Sequence, residues 1–163
     1  MGSPVKIGFA GTDARTLHTA LMVSNSQGND SSRSYKGVLI RGTPSMQHIA
    51  ENIMGWDIGF IPTEDNSAAS YASAISEAFD RGEIDYTVPM PESLIFNGIV
   101  DMLAEKGHAG RIAGLTRDGA FIEGDKIKCK AFCRKAGIPV ADSWHVADAK
   151  SFSDVSAVVL EYI

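Results

Sequence analysis

Two turns in this sequence carry residues able to hold a charged small molecule. In GFAGTDAR, residues 8–15, Gly8 and Gly11 permit close backbone approach and Arg15 supplies a positive charge, a set suited to an anion such as phosphate. In VPMPESLIFNGIVD, residues 88–101, Pro89 and Pro91 stiffen the chain and Glu92 stands at the start of a helix. There its carboxylate can accept hydrogen bonds from sugar hydroxyls or from an amine. Both turns also have plain structural readings. A glycine after a strand can serve only to turn the chain, and a carboxylate at a helix start can serve only to cap it.

A third stretch, EGDKIKCKAFCRKAGIPV at residues 123–140, gathers Lys126, Lys128, Lys130, Arg134 and Lys135. At helical spacing Lys126, Lys130 and Arg134 run along one face, while Cys129, Phe132, Cys133 and Ala136 form an apolar stripe. Taken alone, such a basic face is more often a solvated surface than a functional one.

Other chemistries lack their residues. The two cysteines, Cys129 and Cys133, have no further Cys or suitably spaced His with which to complete a zinc site. Four apart in one helix, they are neighbours rather than good disulfide partners, which points to a reducing, cytoplasmic setting. His18, His48, His108 and His145 form no constellation, and neither Gly-x-Ser-x-Gly nor His-Glu-x-x-His occurs. The first turn lacks the full dinucleotide glycine pattern. No acidic residue ends GVLIRG, residues 37–42, which argues against NAD, although Arg41 would tolerate a 2′-phosphate.

These residues must be positioned by regular elements, and the periodicity supplies them. An apolar run from Val5 to Ala10 predicts a strand, followed by a turn and a helix through Leu17, Ala20 and Leu21. The polar stretch at residues 24–37 predicts a long exposed loop, and residues 37–42 a second strand. A helix from Pro44 through His48, Ile49 and Ile53 and a third strand at DIGFIP precede a helix with Ala69, Ala72, Ile75 and Phe79 on one face, ending near Gly82. IDYTVP predicts the fourth strand, SLIFNGIVDMLAEKG one helix closed by Gly107, and GRIAG a short fifth strand. LTRDGAFIEGDK reads as a polar connection, then the Lys-rich helix runs to Gly137. After it come an extended segment and a helix from Ser151 to Ile163. Strands alternating with helices imply an α/β fold, a Rossmann-like parallel sheet flanked by helices. Residues 1–114 form that domain, and residues 115–163 a linker and an incomplete second unit.

The totals agree with a packed protein acting on small molecules. At 163 residues and 44% hydrophobic composition the chain can bury a real core. Its 15 Lys and Arg against 20 Asp and Glu give a net charge of −5, which repels phosphate backbones, so nucleic acid is not expected as a partner. No apolar run is long enough to cross a bilayer, so no membrane association is expected.

The order of motifs resembles a known family. MPESLIFNGIVDML, IAGLTRDGAFIEGDKIKCKAF and KAGIPVADSW together resemble glycinamide ribonucleotide synthetase (phosphoribosylamine–glycine ligase), of the ATP-grasp superfamily. Pro91, Glu92, Gly98, Ile99, Val100, Asp101, Gly114, Glu123, Gly124, Lys126, Lys130, Phe132, Gly137, Ile138 and Pro139 fall into the family register without a gap, over about residues 85–144. Met90, Leu94 and Leu115 depart from it, and the family's Gly-Gly-Arg-Glu-His turn appears only loosely as GTDARTLH. The GDK start followed by AGIPV is also similar to biotin carboxylase, another ATP-grasp enzyme.

The resemblance implies a Rossmann-like pre-ATP-grasp domain followed by the start of an ATP-grasp domain. It implies a ligase in which ATP phosphorylates the carboxylate of glycine and the amine of phosphoribosylamine attacks the acyl phosphate, with magnesium on the ATP phosphates. Lys126 would contact an ATP phosphate, and Gly11, Arg15, Pro91 and Glu92 would hold the sugar-phosphate amine. The family's glycine-rich lid and late acidic magnesium ligands fall beyond position 163, so the polypeptide alone is expected to be inactive. Alternatives are an ATP-grasp ligase for another acid and amine, and a non-catalytic α/β module that binds sugar phosphates.

Overall fold

In a computed structural model of the chain, residues 3–26, 34–49, 52 and 58–141 are described. The extended segment beyond Ala141 and the last helix expected from Ser151 lie outside them. Two compact units are present, Met1–Gly124 and Asp125–Ile163.

The first unit is built on four parallel strands, β1 (Val5–Ala10), β2 (Tyr35–Ile40), β3 (Gly59–Ile61) and β4 (Tyr86–Pro89), in the order β3-β2-β1-β4. In-register pairing sets Phe9 against Leu39 and Ala10 against both Ile40 and Pro89. Because successive side chains point to opposite faces, each strand feeds two cores. Ala10, Val38, Ile40 and Ile61 pack under helices α3 (Ala68–Asp80), α4 (Glu92–Phe96) and α5 (Ile99–Glu105), where Ile75, Ile99 and Leu103 are fully buried. Phe9 and Leu39 face the other way, toward Ala20 and Leu21 of α1 (Ala14–Asn25) and Met46 of α2 (Pro44–His48). This is the α/β fold, a parallel sheet covered on both faces, that the alternation of elements predicts.

Thr43 caps α2, accepting from the Met46 amide at 3.3 Å, and Pro44 opens the helix as expected. Between α1 and β2 the loop is shorter at both ends than predicted: α1 runs to Asn25 and β2 begins at Tyr35.

Three expectations are corrected. The single helix expected over residues 93–107 is two, because Gly98 adopts a left-handed φ of +82° between α4 and α5. The Asn97 carbonyl freed there accepts from the Arg117 guanidinium at 2.9 Å. The stretch taken as a polar connection contains a helix, α6 (Arg117–Gly124). Asp118 and Gly119 give it weak local helix preference, and tertiary contacts override this: Ala120 is 5% exposed and Asp101 accepts from the Arg117 amide at 2.8 Å. The fifth strand is reduced to one parallel bridge between Thr87 and Ile112, with Ala109–Arg111 a 3₁₀ turn. Arg111 is committed there, stacking over Phe79 at 3.9 Å and donating to the carbonyls of Ile84 and Asp85.

In the second unit the described residues form helix α7 (Lys126–Lys135). Asp125 caps it, accepting from the amides of Ile127 and Lys128 at 3.1 and 3.0 Å. Cys129 and Cys133 are both free thiols. No helix among the described residues is long and apolar enough to cross a membrane.

Candidate functional site

The strand order β3-β2-β1-β4 reverses direction at β1, so the crevice between the carboxyl ends of β1 and β4 is a topological switch point, where open α/β sheets bind ligands. Both turns singled out by their residue types lie there. Gly11 leaves β1 with φ +152°, and its amide donates to the Ile40 carbonyl at 3.2 Å. Met90 leaves β4, donating to the Ala10 carbonyl at 3.1 Å. The two turns touch: a Cβ on Gly11 would lie 3.1 Å from Cγ and Cδ of Pro91 and 2.5 Å from Oγ1 of Thr16.

Gly11, Pro91 and Glu92, taken from positions eighty residues apart in the chain, are thus brought together. Glu92 is the first residue of α4 and is exposed. Pro91 sits at the cap position without a side-chain cap, and among the described residues the Glu92 carboxylate has no hydrogen-bond or ion-pair partner. It is a free acceptor at the rim of the crevice.

Arg15 is not brought into this group. Its side chain is 76% exposed and lies on Asp13, with Nη2 to Oδ2 at 3.0 Å. Asp13 is the N-cap of α1. Its Oδ1 accepts from the Thr16 amide at 2.8 Å and from the buried Thr16 hydroxyl at 2.7 Å. The negative group at this helix start is therefore the protein's own carboxylate. The Thr16 hydroxyl, then the Thr16 amide and Arg15, hold the Asp13 carboxyl below the usual carboxylate range.

Asp13→Ala removes a cap and strands a buried hydroxyl, and is expected to destabilise the first unit by about 2 kcal/mol. Urea unfolding followed by circular dichroism checks it, with Asp13→Asn, whose amide oxygen can still accept from the Thr16 amide and hydroxyl, losing much less. Because the folded carboxyl is the stronger acid, its contribution is present above about pH 4. It fades as the pH falls through the folded value, so wild type and variant converge in acid.

The sheet's carboxyl edge carries a second feature that periodicity did not reveal. A cleft of about 500 Å³ opens at the ends of β1, β2 and β3, lined among others by Thr12, Arg41, Thr43, Phe60, Thr63 and Asn66. A larger hollow of about 650 Å³ lies at the amino ends of β1 and β4, near Ser3, Lys6, Asp85 and Arg111. Lys6 and Asp85 are internally bonded there: the Lys6 ammonium donates to the Gly82 carbonyl, and the Asp85 carboxylate accepts from the Lys6 amide. Strand amino ends are also not where such sheets bind ligands. The sequence did contain a pointer to the cleft, Arg41 at the end of a strand, which the sequence weighs only as a partner for a 2′-phosphate.

Lys126 opens α7 in the second unit and is exposed, with no partner among the described residues. Lys128 pairs with its own cap residue, Nζ to Asp125 Oδ2 at 3.4 Å, and Lys130 donates to the Ala141 carbonyl at 3.3 Å. Among the described residues no group of three or more His, Cys, Asp or Glu is placed to hold a metal ion.

No protein-family model matches the chain. Over 62 residues, 38% of this chain, it is 42% identical to the phosphoribosylamine–glycine ligase of Ralstonia nicotianae, and that region is 14% of the relative's length. By structure it is similar to the biotin carboxylase domain of a single-chain bacterial carboxylase, with TM-score 0.56 and 16% identity over 98% of this chain. It is also similar to the biotin carboxylase subunit of pyruvate carboxylase, with TM-score 0.53 and 18% identity over 98% of this chain. The chain spans 34% and 33% of those two structures, about a third of each. The resemblance drawn from the motifs is met from two directions: the chain is similar in sequence to a phosphoribosylamine–glycine ligase, and it shares its α/β fold with biotin carboxylase, an ATP-grasp enzyme.

Proposed function

We propose that this chain is the amino-terminal portion of an ATP-dependent carboxylate–amine ligase that joins glycine to phosphoribosylamine. The observation that carries the reading is the apposition of Gly11 and Pro91 at the switch point, with the uncommitted Glu92 carboxylate on its rim. The sequence likeness to a phosphoribosylamine–glycine ligase supports the choice of substrates. In the reaction ATP phosphorylates the glycine carboxylate. The amine then attacks the acyl carbon, the C–O bond to phosphate breaks, and amide, ADP and phosphate are formed.

Glu92 accepts hydrogen bonds from the sugar hydroxyls or the amine of phosphoribosylamine, and the Gly11–Pro91 contact sets the distance between the two walls holding that substrate. Arg15, bound to Asp13, contributes less to the site than its charge suggests. Lys126 serves an ATP phosphate. Residues 1–114 supply the substrate-binding domain and residues 115–163 lead into the nucleotide domain. Magnesium on the ATP phosphates would neutralise their charge; the described residues offer no cluster of their own for it. The 163 residues by themselves are inactive, in keeping with a chain that spans about a third of the structures it resembles.

ADP release dependent on ATP, glycine and phosphoribosylamine, assayed with the gene together with its in-frame continuation, tests the assignment. Absence of release from a folded protein overturns it. In the active protein Glu92→Gln is expected to lower kcat/KM for phosphoribosylamine about 10- to 100-fold, as loss of a charged acceptor does. Unfolding in urea should be unchanged, because the carboxylate is exposed and unpaired within the fold. The likeness to biotin carboxylase domains supports a second reading, an ATP-grasp ligase for a different acid and amine. ADP release with other carboxylates and none with glycine would select it.

A further inference from the structure

The two cysteines have no part in the ligase reading, and their placement is more specific than their number. Both lie on α7, at positions 129 and 133, as free thiols that are neither buried nor fully exposed. One helical turn apart, they share a face, with Cβ atoms about 5–6 Å from each other. Desolvation first and the Cys129 thiol second raise the Cys133 thiol above its usual range, so the two sulfurs are near neighbours that act on one another.

That spacing decides which chemistry the pair can do. A disulfide needs Cβ atoms about 3.8 Å apart, so bonding the sulfurs to each other would require α7 to unwind between them. A single bridging atom removes the conflict. With thiolate–metal bonds of about 2.3 Å, one ion spans sulfurs up to about 4.6 Å apart on an intact helix. Among the described residues no third Cys, His, Asp or Glu joins the pair. Asp125, the one acid within four positions of either cysteine, is committed to the Ile127 and Lys128 amides and to the Lys128 ammonium. A structural zinc ion takes four ligands and is unsuited, whereas a soft ion content with two thiolates fits.

The charges agree. Two thiolates on a monovalent ion leave one net negative charge. Lys126 stands three positions before Cys129 and Lys130 three before Cys133, so each thiolate has an ammonium as its neighbour on the helix surface.

We infer that Cys129 and Cys133 form a two-thiolate site for a soft, low-coordinate monovalent metal ion, of which copper(I) is the representative. On binding, each sulfur releases its proton to solvent and donates an electron pair to the metal. No electron leaves the protein, and copper(I) stays copper(I). The site lies wholly within the second unit and stands whether or not the ligase reading does.

The test titrates the reduced 163-residue protein, without oxygen, with copper(I) held by a coloured competing chelator. The protein is expected to withdraw one ion per chain, with thiolate-to-metal charge-transfer absorbance rising in step and the helical circular dichroism unchanged. Cys129→Ser and Cys133→Ser are each expected to abolish that uptake. Cys133→Ser combined with Ala131→Cys keeps two thiols but sets them on opposite sides of α7, and it is expected to fail as the single variants do. Uptake by this double variant at the wild-type level, uptake that survives either single substitution, or no uptake at all would each overturn the proposal. So would zinc bound at one ion per two chains in preference to copper(I), which marks a four-thiolate site shared between copies. A disulfide formed within the chain by peroxide without loss of helix would overturn it as well, because the spacing argument would be wrong. None of these measurements involves ATP, glycine or phosphoribosylamine, so the ligase reading and this one fail separately.

Discussion

Replacing Gly37 by alanine should unfold the first unit more readily than a typical single substitution, by about 3 kcal/mol. A Cβ at this position would collide with the carbonyl oxygen of Ala20 and approach its carbonyl carbon to 2.8 Å and its Cα to 3.0 Å. These are backbone atoms of α1, which no rotamer change can move aside. Ala20 itself is fully buried, and the same turn of α1 holds β2 through the Gly37 amide, which donates to Oγ of Ser24 at 2.8 Å. The helix must therefore lift off the strand, loosening the packing of Leu21, Phe9 and Leu39. A lower urea midpoint with an unchanged slope is the expected result. Ser24→Ala, which removes only the hydrogen bond, should cost about 1 kcal/mol. If Gly37→Ala proved no worse than Ser24→Ala, the close approach of α1 to β2 would be wrong.

Gly11→Ala is expected to cost a similar amount, about 3 kcal/mol, from two sources that add. One is the backbone, held at a φ of +152° where alanine is strained. The other is the 2.5 Å approach to the Thr16 hydroxyl, which is fully buried and bound to Asp13, so it cannot simply rotate away. Relief by pushing on Pro91 instead would move the start of α4 and with it Glu92. The substitution should thus impair substrate binding in the active ligase beyond what lost stability explains, whereas Gly37→Ala should lower stability without changing the KM of the folded fraction. Denaturation and substrate kinetics on the same pair of variants separate these effects. A Gly11→Ala protein of wild-type stability and KM would show that the β1 and β4 turns do not define the site.

Much of the framework was legible because its determinants are local. The apolar run from Val5 to Ala10, the spacing of Ala72, Ile75 and Phe79, and Pro44 after Thr43 each act within one or two turns of chain, and the strands and helices appear where they predict. Elements were misjudged where a distant partner decides. Gly98 is one residue in an apolar helical pattern, and its break is held by Arg117, nineteen positions further on. Helix α6 has weak local preference and forms because Asp101 and the faces of α4 and α5 receive it.

The candidate site divides along the same line. Residue types alone marked Gly11, Pro91 and Glu92, because a turn after a strand needs such residues and because their order resembles a known family. Arg15 looked equally suitable, since in one dimension a charge beside a glycine turn has no visible partner. Folding gave it Asp13, two positions away, and left Arg41 with its charge unpaired among the described residues. The sequence by itself determined the first four strands and the helices with a clear apolar period, that the sheet is parallel and covered on both faces, and which turns could reach its carboxyl edge. Those follow from side-chain period and turn chemistry, which operate over a few residues. Tertiary structure alone decided that Gly11 meets Pro91, that the Arg41 guanidinium donates to Thr63, and that a cleft opens beside Thr12. Contacts between residues up to eighty positions apart depend on strand order and register, and these are set by packing of the whole unit.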